Sequence, residues 1–189
     1  MRLFVALDLH DRIQQRLDDY VRTLQPRFPG VRFVRSDTYH VTLKFLGELP
    51  TAEAVRSSLH QVHAESFEVE VRGVGFFPDA RAPRVFWAGI NAPALPALAK
   101  GVDQALQALG FPLEREFHPH LTLARNGSGR RRPVRSERPS EAFAQLPVIV
   151  ASSPVPEFGT MTAREFFLYE SRLSSSGPSY HKLECFKLA

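Results

Sequence analysis

Two short segments carry the same pair of reactive side chains: His40-Val41-Thr42-Leu43 and His120-Leu121-Thr122-Leu123. In an extended chain, residues i and i+2 project from one face and i+1 and i+3 from the other. Each segment therefore offers an imidazole and a hydroxyl on a polar face and anchors itself through apolar neighbours on the opposite face. Imidazole, with an ordinary pKa of about 6.5, both gives and takes protons near neutrality. Two such groups across a cleft suit an in-line displacement at phosphorus, one as base and one as acid, with no metal required. The threonine hydroxyls can donate to non-bridging oxygens and hold the charge that develops there. A single His-x-Thr would ordinarily be a solvent-facing strand surface, whereas a doubled one at equivalent points of the chain asks for a shared task.

The chemical rival is a metal. His118-Pro119-His120 sets two imidazoles two residues apart, and Glu116 or Asp79 would have to complete a ligand set. Neither a His-Glu-x-x-His pattern nor a carboxylate triad is present, so no metal is expected, and no cofactor. His118 reads as a loop residue supporting the site. His10, His60 and His63 read as helix-surface or boundary residues, and His181 as a strand residue near a loop.

The elements that must position the two segments follow from periodicity. Residues 2–9 form a short apolar run and 40–46 alternate polar and apolar, both patterns of strands. Ile13, Leu17, Val21 and Leu24 recur at helical spacing over 11–27, and Phe28-Pro29-Gly30 stops that helix. Thr51 is expected to cap a second helix with Val55, Leu59 and Val62 as its stripe. Strands are expected at 67–76 and 84–91. A third helix spans 95–109 and ends at Gly110, and a further strand covers 120–125. Residues 126–140 have a loop composition, after which a short helix at 140–145 and strands at 146–151, 164–171 and 181–188 complete the chain.

This order repeats: strand, helix, strand, helix, strand runs from 2 to 76 and again from 84 to 151. Arg2-Leu-Phe-Val-Ala6 matches Arg84-Val-Phe-Trp-Ala88 at an offset of 82, and Tyr39-His-Val-Thr-Leu43 matches Pro119-His-Leu-Thr-Leu123 at 80. A period near 80 is too long for a solenoid unit. The expected fold is α+β and bilobal: two lobes related by a pseudo-twofold axis, antiparallel-rich sheets lining a central cleft, helices outside. The whole of 1–189 is then one bilobal domain whose halves, about 1–83 and 84–189, are related by internal duplication.

Composition bounds the setting. The 189 residues are 43% hydrophobic, which excludes a disordered chain. One cysteine, Cys185, excludes an internal disulfide and every cysteine-cluster zinc site, and fits a reducing compartment. No run approaches the ~20 apolar residues of a membrane span, and the first ten residues lack a signal-peptide cleavage site. A cytoplasmic monomer is the expectation. The net charge of +4 leans towards an anionic partner. No Gly-x-x-x-x-Gly-Lys loop is present, which argues against ATP hydrolysis.

Tyr39-His-Val-Thr-Leu-Lys-Phe-Leu-Gly47 and Phe117-His-Pro-His-Leu-Thr-Leu-Ala-Arg125 resemble the paired His-x-Thr-x motifs of the two-histidine phosphoesterases. Within that superfamily the chain resembles the RNA 2′,3′-cyclic phosphodiesterases, also called 2′-5′ RNA ligases. Arg2-Leu-Phe-Val-Ala-Leu7, Gly75-Phe-Phe-Pro78 with Pro83-Arg-Val85, and Ser171-Arg-Leu173 followed by Gly177-Pro178 and Tyr180 extend the likeness over nearly the whole chain. The resemblance implies the two motifs on adjacent strands in a central cleft. It implies metal-free hydrolysis of a terminal 2′,3′-cyclic phosphate to a 2′-phosphate, and a reversible 2′-5′ joining reaction. Its partner would be RNA with 2′,3′-cyclic phosphate or 2′-phosphate ends, tRNA fragments among them. By position, His40 would protonate the departing 3′ oxygen, His120 would activate water, and Thr42, Thr122 and Arg125 would hold the phosphate. Strict alternation puts Arg125 on the apolar side with Leu121 and Leu123, so it reaches the cleft only where the strand bends or ends near Ala124. The stretch Ser36-Asp-Thr38 lacks the tryptophan of many relatives.

Six arginines, Arg125, Arg130, Arg131, Arg132, Arg135 and Arg138, fall within fourteen residues. They read either as a solvated loop or as a clamp on the phosphate backbone. Phe76, Phe77, Phe117 and Tyr180 are candidates to stack a terminal base, with Phe76 and Tyr180 preferred. Phe45 is the poorest candidate, because alternation points it inward. Two other functions remain open on the residues alone: an esterase for a small cyclic nucleotide, and an RNA-end binding module without turnover.

Overall fold

The structure, a computed structural model, describes residues 1–114, 116–126, 140–174 and 177–189. Its architecture is mixed α+β. Nine strands and four α-helices are found among the described residues: β1 (Arg2–Leu7), α1 (Asp11–Leu24), β2 (Arg32–Phe33), β3 (Val41–Glu48), α2 (Glu53–Leu59), β4 (Phe67–Phe77), β5 (Val85–Asn91), α3 (Leu95–Gln107), β6 (His120–Arg125), α4 (Glu141–Ala151), β7 (Glu157–Ala163), β8 (Glu165–Ser174) and β9 (Gly177–Lys187). The strands form two sheets, ordered β3-β1-β8-β9 and β2-β6-β5-β4-β7, with every pairing antiparallel. β3 and β6, which carry the two motifs, touch one another where the sheets adjoin.

The sheets exchange strands along the chain. β4 follows the first motif in sequence yet lies in the second sheet beside β5, and β8 and β9 return to the first sheet beside β1. Each motif strand pairs with the strand opening its half, β3 with β1 and β6 with β5. Ala6 lies opposite Thr42, and Trp87 lies opposite Thr122. The partners of the two motif threonines, Ala6 and Trp87, are thus 81 residues apart, where the sequence match has an offset of 82. That match sets Phe4 against Phe86, but Phe86 is sealed in the main core with Val5, whereas Phe4 belongs to a small separate cluster with Ala6, Phe167 and Tyr169.

Two expected elements differ. Residues 146–151 are not a strand but the continuation of α4, whose N-cap Ser140 accepts a hydrogen bond from the Phe143 amide at 3.2 Å. Phe143, Leu146 and Pro147 form a buried stripe at i, i+3 and i+4, and this packing outweighs the β preference of Val148-Ile-Val150. The strand that follows α4 is β7, at 157–163, on the edge of the second sheet beside β4. Its alternation is broken at Phe158–Gly159, where β4 pairs Val71 with Gly159 and Arg72 with Glu157, and Gly159 has φ 123°. At α2 the N-cap is Ala52, with no side-chain bond from Thr51.

Buried Lys44 fastens the two halves together. Its ammonium reaches the buried Asp103 carboxylate of α3 at 2.5 Å and the Pro112 carbonyl at 2.7 Å, and the other Asp103 oxygen accepts from the Glu114 amide at 2.8 Å. The strand of the first motif is thereby tied to the segment that leads into the second. Among the described residues, no helix is long and apolar enough to cross a membrane.

Candidate active site

The two motif strands have the same unusual burial sequence. From His40 to Phe45, and again from His120 to Arg125, residues run half-buried, buried, half-buried, buried, buried, exposed. Two buried residues in succession mark a β-bulge. On the first strand Thr42 pairs with Ala6 and Lys44 with Val5, so Leu43 has no partner. On the second, Thr122 pairs with Trp87 and Ala124 with Phe86, so Leu123 has none. The extra residue shifts the parity by one. Positions that strict alternation sends inward, Phe45 and Arg125, return to the face that carries the histidines and threonines. This is how Arg125 reaches the cleft, and it corrects the inward placement of Phe45, which is 60% exposed.

The cleft between the strands has a volume of about 410 Å³. His40, Thr42, His120, Thr122 and Arg125 all line it, together with Tyr180 from β9. The histidines are held alike. His40 Nδ1 bonds the Thr38 carbonyl at 2.8 Å, and His120 Nδ1 bonds the His118 carbonyl at 2.7 Å. A carbonyl only accepts, so Nδ1 carries the proton in each ring and Nε2 is the nitrogen left for the cleft. Aromatic rings hold both imidazoles in place. Phe4 lies 4.8 Å from His40, Tyr180 meets it edge-on at 5.1 Å, and Phe77 meets His120 edge-on at 5.0 Å.

Electrostatics oppose charge on both rings. Burial, foremost, pushes the His40 pKa below its ordinary value; Arg125 and His120 push the same way, against the Thr38 carbonyl and Asp8. Burial likewise lowers His120, seconded by Arg125 and His118 and opposed by the His118 carbonyl. Asp8 stands behind His40, accepting from Tyr169 Oη and paired with Lys182 at 2.5 Å. The Arg125 guanidinium donates to Thr122 Oγ1 at 3.3 Å, so cation and hydroxyl address one spot.

The remaining candidates separate. Phe76 does not face the cleft: its ring stacks on buried Phe86 at 5.1 Å, because the neighbour on the other face of β4, Phe77, is the one that turns to His120. Phe117 packs against the main core. Arg130, Arg131, Arg132, Arg135 and Arg138 lie outside the described residues. For the metal alternative, His118 Nε2 bonds Glu116 at 3.1 Å, and the Asp79 carboxylate accepts from the amides of Arg81 and Ala82. Among the described residues, no three His, Cys, Asp or Glu side chains converge as a ligand set. Sequence reasoning missed Arg2, Thr38, Phe45 and Leu173 as lining residues. Leu173 had a signal, since it sits in the Ser171-Arg-Leu173 stretch; Phe45 was hidden by the bulge.

The model of the LigT-like phosphoesterases matches residues 7–87 and 90–180. The chain belongs to this family. A protein of Archaeoglobus fulgidus named RNA 2′,3′-cyclic phosphodiesterase is 34% identical over 99% of this chain and 100% of its own length. One of Thermotoga maritima with the same name is 30% identical over 98% and 95%. Among solved structures, TT0787 of Thermus thermophilus superposes with a TM-score of 0.75 at 30% identity, covering 99% of this chain and 97% of that one. Escherichia coli LigT in its apo form gives 0.77 at 27% identity, covering 100% and 97%. Members of the LigT-like family are phosphoesterases, and a cleft that presents two imidazoles, two hydroxyls and a guanidinium is chemically suited to that class.

Proposed function

We propose that this LigT-like phosphoesterase hydrolyses RNA 2′,3′-cyclic phosphate ends to 2′-phosphates by paired histidine catalysis, without a metal. The observation that supports this most is the identical treatment of the two imidazoles. Each spends Nδ1–H on the carbonyl two residues earlier and keeps Nε2 for the same cleft. His120 Nε2 takes the proton from water as its oxygen attacks phosphorus. His40, protonated at Nε2, gives its proton to O3′ as the P–O3′ bond breaks. The products are a 2′-phosphomonoester and a 3′-hydroxyl, and the two histidines then exchange protons with solvent to reset. Thr42, Thr122 and Arg125 hold the non-bridging oxygens through the change of geometry. With a 5′-hydroxyl in place of water, the same steps join RNA ends by a 2′-5′ phosphodiester.

The cleft volume of about 410 Å³ accommodates roughly one nucleotide, which favours recognition of an end over binding along a strand. It also keeps a small cyclic nucleotide as the alternative substrate. The test offers RNA ending in a 2′,3′-cyclic phosphate, and a cyclic mononucleotide in parallel, both in chelator. A 2′-phosphate product from the RNA is expected. Binding without product would leave only an end-binding module, and turnover of the mononucleotide alone would move the assignment to the small substrate. His40→Ala and His120→Ala should each lose about 10²–10⁴ in rate. Near-normal hydrolysis by either one would overturn the paired roles.

A further inference from the structure

The residues that face the two histidines across their strand pairs are unlike. On β5 and β6 the ladder sets Trp87 against Thr122, Ala88 against Leu121 and Gly89 against His120. On β1 and β3 it sets Ala6 against Thr42 and Leu7 against Val41, and one further step brings Asp8 opposite His40. Directly opposed residues of an antiparallel pair hold their Cβ atoms about 5 Å apart on one face. One histidine therefore stands across from a carboxylate and the other from no side chain at all. Position 89 takes no side chain without a shift of the backbone, since a Cβ there would lie 2.4 Å from the Arg72 carbonyl oxygen. Asp8 is not a loose surface acid. Tyr169 Oη donates to one of its oxygens, and the Lys182 ammonium lies 2.5 Å from the other. The Tyr169 ring stacks on Phe4, and Phe4 lies against His40. Asp8, Tyr169 and Lys182 line a second cavity, of about 490 Å³, which meets the first at His40.

We propose that Asp8 is a positioning residue that makes His40, and not His120, the ring that holds the proton when the pair holds one. This rests on the paired-histidine phosphodiesterase reading and gives the physical reason for its division of roles: the ring that keeps the proton is the acid, and the empty ring is the base. The charges around each ring agree. The Asp8 carboxylate favours a proton on His40, against Arg125 and His120 of β6. Of the other charged or titratable groups in the second cavity, Lys182 of β9 is paired with Asp8 and Asp37 with Arg35, and His181 lies beside Lys182 in the chain. On the other side, Arg125 and His118 both act against a proton on His120, and the Glu116 carboxylate is bonded to His118. Burial opposes charge on both rings, so the anion opposite one of them is what sets their order.

The test titrates the intact protein by NMR of its imidazole carbons, with His40→Gln and His120→Gln to assign the signals. The midpoints belong to the pair, but the ring whose signal moves first as pH falls is the one that takes the first proton; it should be His40. Asp8→Asn should delay His40 to lower pH. Lys182→Met, which uncovers the carboxylate, should advance it to higher pH. The acid must be protonated to act, so the alkaline limb of kcat/KM on an RNA 2′,3′-cyclic phosphate should move with it: downward in Asp8→Asn, at a cost of about 3- to 30-fold above the limb and little below it, and upward in Lys182→Met. Asp8→Glu keeps the charge and should restore the limb. Lys182 is 51% exposed, so its variant keeps the fold and its upward shift tests the proposal even where Asp8→Asn is unstable. A first proton on His120 in the parent, an unmoved His40 in a folded variant, or a loss equal at every pH in both variants would overturn the proposal. Movement of the acidic limb in place of the alkaline one, with His40 titrating as stated, would reverse the acid and base and so overturn the division of roles. A parent that titrates as stated yet hydrolyses no cyclic phosphate would refute the phosphodiesterase reading and leave the hold of Asp8 on His40 standing.

Discussion

Asp103→Ala is the sharpest perturbation of the scaffold that holds the site. It removes the carboxylate 2.5 Å from the buried Lys44 ammonium and also the acceptor of the Glu114 amide. Losing one partner of a buried ion pair costs about 3–5 kcal/mol, since the other charge is left in a poor solvent. In a chain of this length that corresponds to a fall in Tm of roughly 6–20 °C. Lys44→Met/Asp103→Leu removes both charges and keeps the volume. It still leaves the Pro112 carbonyl and the Glu114 amide without partners, at about 1–3 kcal/mol each. The double variant should therefore unfold below the parent but be more stable than the sum of the two single changes predicts, by at least about 1 kcal/mol. Urea unfolding followed by the fluorescence of Trp87 measures all four corners of this cycle. Strict additivity, or a loss under about 1 kcal/mol in Asp103→Ala, would refute the buried pair as the fastening between the first motif strand and the segment entering the second. Where the double variant folds, its kcat should still fall, because the His118 carbonyl that sets the His120 tautomer lies just beyond the freed segment.

Further outcomes follow from the charges around the two rings. Burial holds both histidine pKa values below the ordinary 6.5, so the bell-shaped profile of kcat/KM should centre below pH 6.5 and belong to the pair; a centre above pH 7 in the free enzyme would contradict it. Stability has the matching sign. The unfolded chain takes up protons at these histidines first as pH falls through about 6.5, so unfolding free energy should decline below that pH, and the decline should shrink in His40→Gln. Arg125→Gln should cost about 10- to 100-fold in kcat/KM through the lost charge-assisted bond to phosphate. It should also move the pH profile upward, since the guanidinium lowers both rings; a downward move would refute that influence. Phe76→Leu should lower stability by about 1 kcal/mol through its packing on Phe86 and leave kcat/KM within about twofold, whereas Phe77→Leu should slow turnover by loosening His120.

What the sequence disclosed, and what it hid, divides on one physical feature. The parity of an extended chain is enough to place His40 with Thr42 and His120 with Thr122, and the doubled motif is enough to suspect a shared cleft. Helices with long stripes, such as Ile13-Leu17-Val21-Leu24, were equally legible because packing and periodicity agree there. Parity fails two residues beyond each threonine, at Lys44 and Ala124. A bulge has no composition of its own in Thr-Leu-Lys-Phe or Thr-Leu-Ala-Arg; it is written in the partner strand, where Ala6 and Val5 on one side and Trp87 and Phe86 on the other skip a residue. The same kind of slip at Gly159 concealed β7. Yet the bulge is what gives the site its chemistry beyond the bare motif. Without it, Arg125 would point into the apolar core, where an unpaired guanidinium is prohibitively costly, and Lys44 would point into the cleft instead of reaching Asp103. With the bulge kept only on the second strand, a Lys44 ammonium in the cleft would set one cation beside each histidine. The observed arrangement instead buries that cation against a carboxylate and presents an aromatic ring in its place, so that two nearly alike strands turn unequal side chains to the cleft.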